Sequence, residues 1–135
     1  MTRKLDDLTD MLTEKGEAFT LRIRGGCMQP LIIDRARVTV KRQAVYLPGD
    51  VVAYQNGIGQ FVCHRFLGYV LWRNGWRAMT RTDNAPQADA LIQPGCLLGK
   101  VIVVEQQPLK VPFGARAQAA WKFLQAVSRR LFPAR

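Results

Sequence analysis

A thiol on a glycine bend and a single imidazole are the groups in this chain with chemistry to offer. Cys27 sits in "RGGCMQP", residues 24–30, and His64, the one histidine among 135 residues, sits in "FVCHRFLG". A cysteine in a glycine-rich turn and a histidine elsewhere supply the parts of a thiol nucleophile and its base. Lacking Cβ atoms, Gly25 and Gly26 let the backbone approach a substrate closely, and the Cys27 amide is then aimed at a developing oxyanion. A thiol of pKa about 8.5 is well matched by imidazole, which can hold it as thiolate. Cys63 adjoins His64, but adjacent strand residues face opposite sides, so it is expected to lie away from that site. Cys96 is expected to be buried. Three cysteines without CxxC spacing suit neither a disulfide framework nor a zinc site, so no metal and no cofactor is implied.

The elements that must position these groups are mostly strands. Residues 4–15 place Leu5, Leu8 and Leu12 at helical spacing with acids opposite, which predicts a short amphipathic helix. From residue 20 the rhythm becomes alternation, in "TLRIR", "ARVTVKR", "DVVAYQ", "QFVCHRFLG", "YVLWR", "WRAMTRT" and "CLLGKVIVVEQ". Asn74-Gly75 predicts a type I′ hairpin, because both central positions of that turn need positive φ. Pro48-Gly49 and Pro94-Gly95 punctuate the starts of strands. The pattern predicts a mostly β domain of coiled sheets rather than βαβ units, with a helix at each end. After Pro112, the residues Ala117, Ala120, Trp121, Phe123, Leu124, Val127 and Leu131 share one helical face, with Gln118, Lys122, Gln125 and Arg129 opposite. Residues 1–111 thus form the β domain with its N-terminal helix, and residues 112–135 a basic amphipathic helix.

Several boxes together resemble a known superfamily. "GGCMQPLI" resembles the G-x-Ser-Met-x-Pro box of type I signal peptidases and of the self-cleaving, LexA-like repressor proteases. "PGDVVAY" resembles their Gly-Asp-hydrophobic strand. "VCHRFLG" resembles the next box, where bacterial members carry a catalytic lysine and other members His-Arg. "TRTDNAPQAD" resembles the Gly-Asp-Asn box and "PGCLLGKVIVV" the closing strand, all in family order over residues 20–104. The resemblance implies a signal-peptidase-like coiled β-sheet protease core. It puts Cys27 at the nucleophile, His64 at the base and Asp89 at the carboxylate that orients the base. Gly25, Gly26, Met28 and Pro30 then belong to the oxyanion- or substrate-binding turn, and Asp83 and Asn84 support the site from behind. The family's serine is cysteine here, and its glycine before the Asp-Asn pair is Thr82.

The implied activity is removal of a leader or signal segment from a precursor peptide or protein by a cysteine peptidase. Two other readings are an inactive member that keeps the groove as a peptide-binding adaptor, and a regulator related to the self-cleaving repressors. The formal net charge of +10 favours an anionic partner. No acid follows Glu105, whereas Lys110, Arg116, Lys122, Arg129, Arg130 and Arg135 do, so residues 112–135 are expected to dock on an anionic membrane surface or an acidic protein. Nucleic acid is a weaker expectation, for want of a helix-turn-helix signal. Arg65 and Arg81 are expected to be solvated. "MTRKLDDLTDMLTEKGE" is too acidic and polar for a secretory signal, and no window approaches a bilayer span. A stand-alone core in the cytoplasm, or at the inner membrane face, is the expectation.

Overall fold

Alternation of β-branched and polar residues builds the strands. In "RVTVK", Val38 and Val40 are buried while Arg37 and Lys41 face solvent. The computed structural model describes residues 18–26, 28–29, 31–83 and 90–131, and the helix expected over residues 4–15 lies outside them. The strands are β1 (Ala18–Arg22), β2 (Arg37–Lys41), β3 (Val51–Gln55), β4 (Phe61–Trp72), β5 (Gly75–Arg81), β6 (Ala90–Ile92), β7 (Leu97–Val104) and β8 (Gln107–Pro108). They form one antiparallel sheet in the order β1-β2-β7-β3-β4-β5-β6, with β8 beside β7. The helix α1 (Phe113–Leu131) follows. The fold is mostly antiparallel β with one C-terminal helix, and no helix among the described residues is long and apolar enough to cross a membrane.

The sheet curls. The Arg24 N–H donates to the Phe61 carbonyl at 2.8 Å, so the chain leaving β1 meets the first residue of β4 across three intervening strands. Inside the curl lies an apolar cluster that includes Ile23, Val38, Val40, Ala53, Cys63 and Val101. Tyr46, Val52, Phe66, Ala78 and Leu97 form a second cluster on the other face.

Local expectations are revised in four places. The strands expected at 60–68 and 69–73 are a single strand, β4, with a register shift between Phe66 and Gly68. The β4–β5 turn is Arg73-Asn74, one residue earlier than expected, with positive φ at Arg73 and not at Asn74. A type I′ turn needs positive φ at both central positions, so this turn is not type I′. A turn with two positive central φ angles occurs instead at Glu105 (47°) and Gln106 (69°), between β7 and β8. Left-handed non-glycine residues cost of order 1 kcal/mol each. Here the Glu105 carboxylate accepts from the Arg37 N–H at 2.8 Å, and its own N–H donates to the Arg37 carbonyl at 2.9 Å. Cys96 closes the short 3-10 turn Pro94–Cys96 and is exposed, not buried.

The helix packs on its own sheet, and by a different side from the one its wheel suggested. Ala119, Phe123 and Ala126, at spacings of four and three, sit over Leu67 and Met79. Trp121 and Leu124 stay 61% and 58% exposed. Gln118 and Lys122, expected on the solvent side, line a cleft against the sheet. Small residues decide the orientation. A Cβ on Gly68 would stand 2.7 Å from the Phe123 ring, so glycine in β4 is what lets that ring lie on the strand. Arg116 anchors the first turns, its Nη1 donating to Asp50 Oδ1 at 3.0 Å and to the Pro48 carbonyl at 3.2 Å. Gly68→Ala should overpack this contact and destabilise by about 1–3 kcal/mol. Phe123→Leu in that background should recover part of the loss, and thermal unfolding of the three proteins checks it.

Candidate active site around His64

The turn that bears the cysteine is held on both sides of it. Ile23 N–H donates to Ala36 O and Arg35 N–H to Ile23 O, at 2.9 and 2.7 Å, pinning the two ends of the 23–36 loop together. Gly25 adopts φ +87°, a left-handed conformation that suits glycine. Its N–H donates to Asp34 Oδ1 at 2.7 Å. The Gly25 amide, expected among the oxyanion donors, is therefore spent on Asp34 and serves to shape the turn. Gly26 accepts from Gln29 N–H at 3.1 Å. The Met28 side chain is buried in the apolar cluster inside the curl, so it anchors the turn and does not line a groove. Cys27 and Pro30 lie outside the described residues.

His64 is half-buried on β4, directly across from Val52 of β3. Its side chain faces the Tyr46–Phe66 side of the sheet, while Cys63 points into the curl, as period-two alternation requires. Two hydroxyls hold the ring. Thr80 Oγ1, fully buried on β5, lies 3.1 Å from Nδ1. The Tyr54 phenol oxygen straddles the Nδ1–Nε2 edge at 3.2 and 3.3 Å, with the two rings edge to face at 5.1 Å. When Nδ1–H donates to Thr80, Nε2 keeps its lone pair and can take up a proton. Burial lowers the His64 pKa below its ordinary 6.5, because desolvation disfavours the imidazolium.

Asp83, expected to support the site from behind, pairs with the residue that follows the histidine. Its carboxylate takes a two-point ion pair from Arg65, Nε at 3.1 Å and Nη2 at 2.6 Å. Arg65 Nη1 also donates to the Gly49 carbonyl at 2.8 Å. Arg65 is thus a half-buried tie between the β3 approach and the end of β5, not a solvated charge. Asp83, Arg65 and Arg81 border the cleft of about 240 Å3 beneath α1, together with Thr82, Gln118 and Lys122. Arg65 stands beside His64 in the strand and points to the opposite face. Asn84 and Asp89 lie outside the described residues.

The sequence reading missed Tyr54, Thr80 and Asp34. Tyr54 was legible in part, since "DVVAYQ" alternation puts it on the same face as Val52. Its meeting with His64 needed the β3–β4 register, and Thr80 needed the β4–β5 register, which no local pattern states.

A pH dependence follows from the buried imidazole. The unfolded chain gains a proton on His64 at about pH 6.5, whereas the folded chain does so only at lower pH. The neutral ring costs nothing above that range. As pH falls below it, the unfolded state binds more protons and stability declines until the folded pKa is reached. His64→Gln should lose less stability than the parent protein between about pH 7.5 and about pH 5.5. Urea unfolding at the two pH values measures the difference, and equal losses would show that His64 does not contribute.

No protein-family profile matches the chain, and no curated protein matches it.

Proposed function

We propose that the chain is a cysteine peptidase with a signal-peptidase-like core, removing a leader segment from a precursor peptide or protein. Cys27 is the nucleophile and His64 the general base. His64 Nε2 takes the thiol proton, the sulfur bonds to the scissile carbonyl carbon, and the carbon–nitrogen bond breaks as His64 returns the proton to the leaving amine. Water then attacks the thioester, losing its proton to His64, and the Cys27 sulfur departs as thiolate and is reprotonated. Asp89 is the carboxylate that family order assigns to the imidazolium, and Thr80 is the hydroxyl that orients the ring. An extended substrate pairs with strands beside the site, with small side chains before the cut.

The observation that carries this reading is the Arg24–Phe61 backbone bond. It brings the turn leading to Cys27 onto β4, the strand of His64, and His64 is three positions along from Phe61. At about 3.3 Å per residue, that is a distance of roughly 10 Å along the strand. The neutral, hydroxyl-held imidazole adds support, since a general base must be unprotonated at working pH.

Incubating the purified protein with candidate precursors should yield a covalent acyl adduct on Cys27 by intact mass. Cys27→Ala should abolish both adduct and cleavage. His64→Ala should lower turnover by about 10² to 10⁴, and Thr80→Val should cost less while moving the acid limb of the pH–rate profile. Cleavage that survives Cys27→Ala would remove the thiol from the mechanism. Iodoacetamide gives an independent check on thiolate character. In the native protein, Cys63 should be spared by burial, whereas Cys96 is exposed and open to the reagent. Cys27 labelling should persist on mild acidification if the thiol is held as thiolate. Loss of Cys27 labelling under those conditions would mean that Cys27 is not activated.

A further inference from the structure

The tip of the β4–β5 hairpin carries large apolar side chains that the fold does not cover. Leu71 and Trp76 are a cross-strand pair and remain 64% and 59% exposed. Trp72, on the other side of the strand, is overlaid by Arg73 at 5.7 Å and by Arg130 of α1 at 5.1 Å. The second of these contacts joins the hairpin tip and the end of the helix into one surface. Every charge on it is positive: residues 65–81 hold Arg65, Arg73, Arg77 and Arg81 without an acid, and no acid follows Glu105.

We infer that this tip is a docking surface for an anionic phospholipid bilayer. Leu71 and Trp76 enter the interfacial zone, and Arg73, Arg77 and Arg130 meet lipid phosphates. Tryptophan beside leucine and arginine is the composition that the headgroup region favours, with apolar body inward and polar edge outward. The two-residue turn makes the surface a projection rather than a hollow, so it can be immersed without a complementary partner. Charge complementarity selects an anionic leaflet over a neutral one. This moves membrane contact from the helical face expected in residues 112–135 to the hairpin, with α1 contributing its last turn. The inference is independent of the peptidase reading, because it concerns a different face and is read without a substrate.

The test is sedimentation of the intact protein with vesicles of phosphatidylcholine and phosphatidylglycerol, and with phosphatidylcholine alone. Binding should be strong to the mixed vesicles, weak to the neutral ones, and reduced by added salt. Arg73→Glu should lower the partition coefficient by an order of magnitude or more, since each cation near an anionic leaflet contributes roughly five-fold. A Leu71→Ser, Trp76→Ser double variant should lower it comparably at fixed salt, with circular dichroism reporting that the sheet is intact. Should the double variant unfold, Arg73→Glu and brominated-lipid quenching of tryptophan fluorescence in the parent protein decide the question. Failure of the parent protein to bind mixed vesicles overturns the inference. So does undiminished binding by Arg73→Glu, or a parent dimer that these variants dissociate, which would make a second copy the occupant.

Discussion

A buried carboxylate at the start of β3 holds the rest of the molecule in place. Asp50 is 2% exposed, and a charge so placed must be compensated or it costs several kcal/mol. Its Oδ2 accepts from the Leu47 N–H at 2.9 Å and its Oδ1 from Arg116 at 3.0 Å. The backbone around it is equally committed. Gly49 N–H donates to Phe66 O, and Phe66 N–H donates to Asp50 O, at 2.8 and 2.7 Å. A Cβ on Gly49, which has φ +98°, would press on the Arg116 backbone at 3.0 Å. Three residues, Pro48-Gly49-Asp50, therefore fix where β3 begins, how β4 pairs beside it and where α1 lands.

That arrangement reaches the candidate site through β4. Arg65 binds the Gly49 carbonyl on one side and Asp83 on the other, so the chain entering residues 84–89 starts from a position set by the same turn. His64 precedes Arg65 and faces the other way. The strand thus has a structural side, tied to the helix and the Asp50 turn, and a side on which an imidazole sits among hydroxyls. On that second side burial leaves the ring uncharged near neutrality, because desolvation disfavours the imidazolium.

What the sequence made legible follows from how local each signal is. Period-two alternation predicted β2 and β3 closely and correctly set Cys63 and His64 on opposite faces. The "PGDVVAY" box marked the turn that organises the fold, although nothing in it announced that Asp50 would be buried. Long-range meetings were not legible. Thr80 and Tyr54 reach His64 only through two strand registers, and the two-point pair of Asp83 with Arg65 joins residues 18 positions apart. The helix wheel failed for a related reason. It ranked faces by hydrophobicity, whereas a close approach to Gly68 selected the narrower side bearing Ala119, Phe123 and Ala126. The positive-φ turn was missed at Glu105-Gln106 because its strain is offset by bonds to Arg37, 68 positions away.

The place of β7 between β2 and β3 has a consequence for how the chain acquires its fold. β2 and β3 are close in sequence yet do not pair; β2 has β1 and β3 has β4 on one edge, but on the other edge each finds its neighbour only in residues 97–104. The ladders that join Val38 to Val104 and Val52 to Lys100 cannot exist until β7 is made. Such non-local pairing places the chain toward the slow end of single-domain folding, milliseconds to seconds rather than microseconds. During synthesis, at about 5–20 residues per second, β2 would emerge several seconds before β7. Over that interval the edge of β2 turned away from β1 has no partner within the chain, so the nascent protein is open to misassociation until β7 is made.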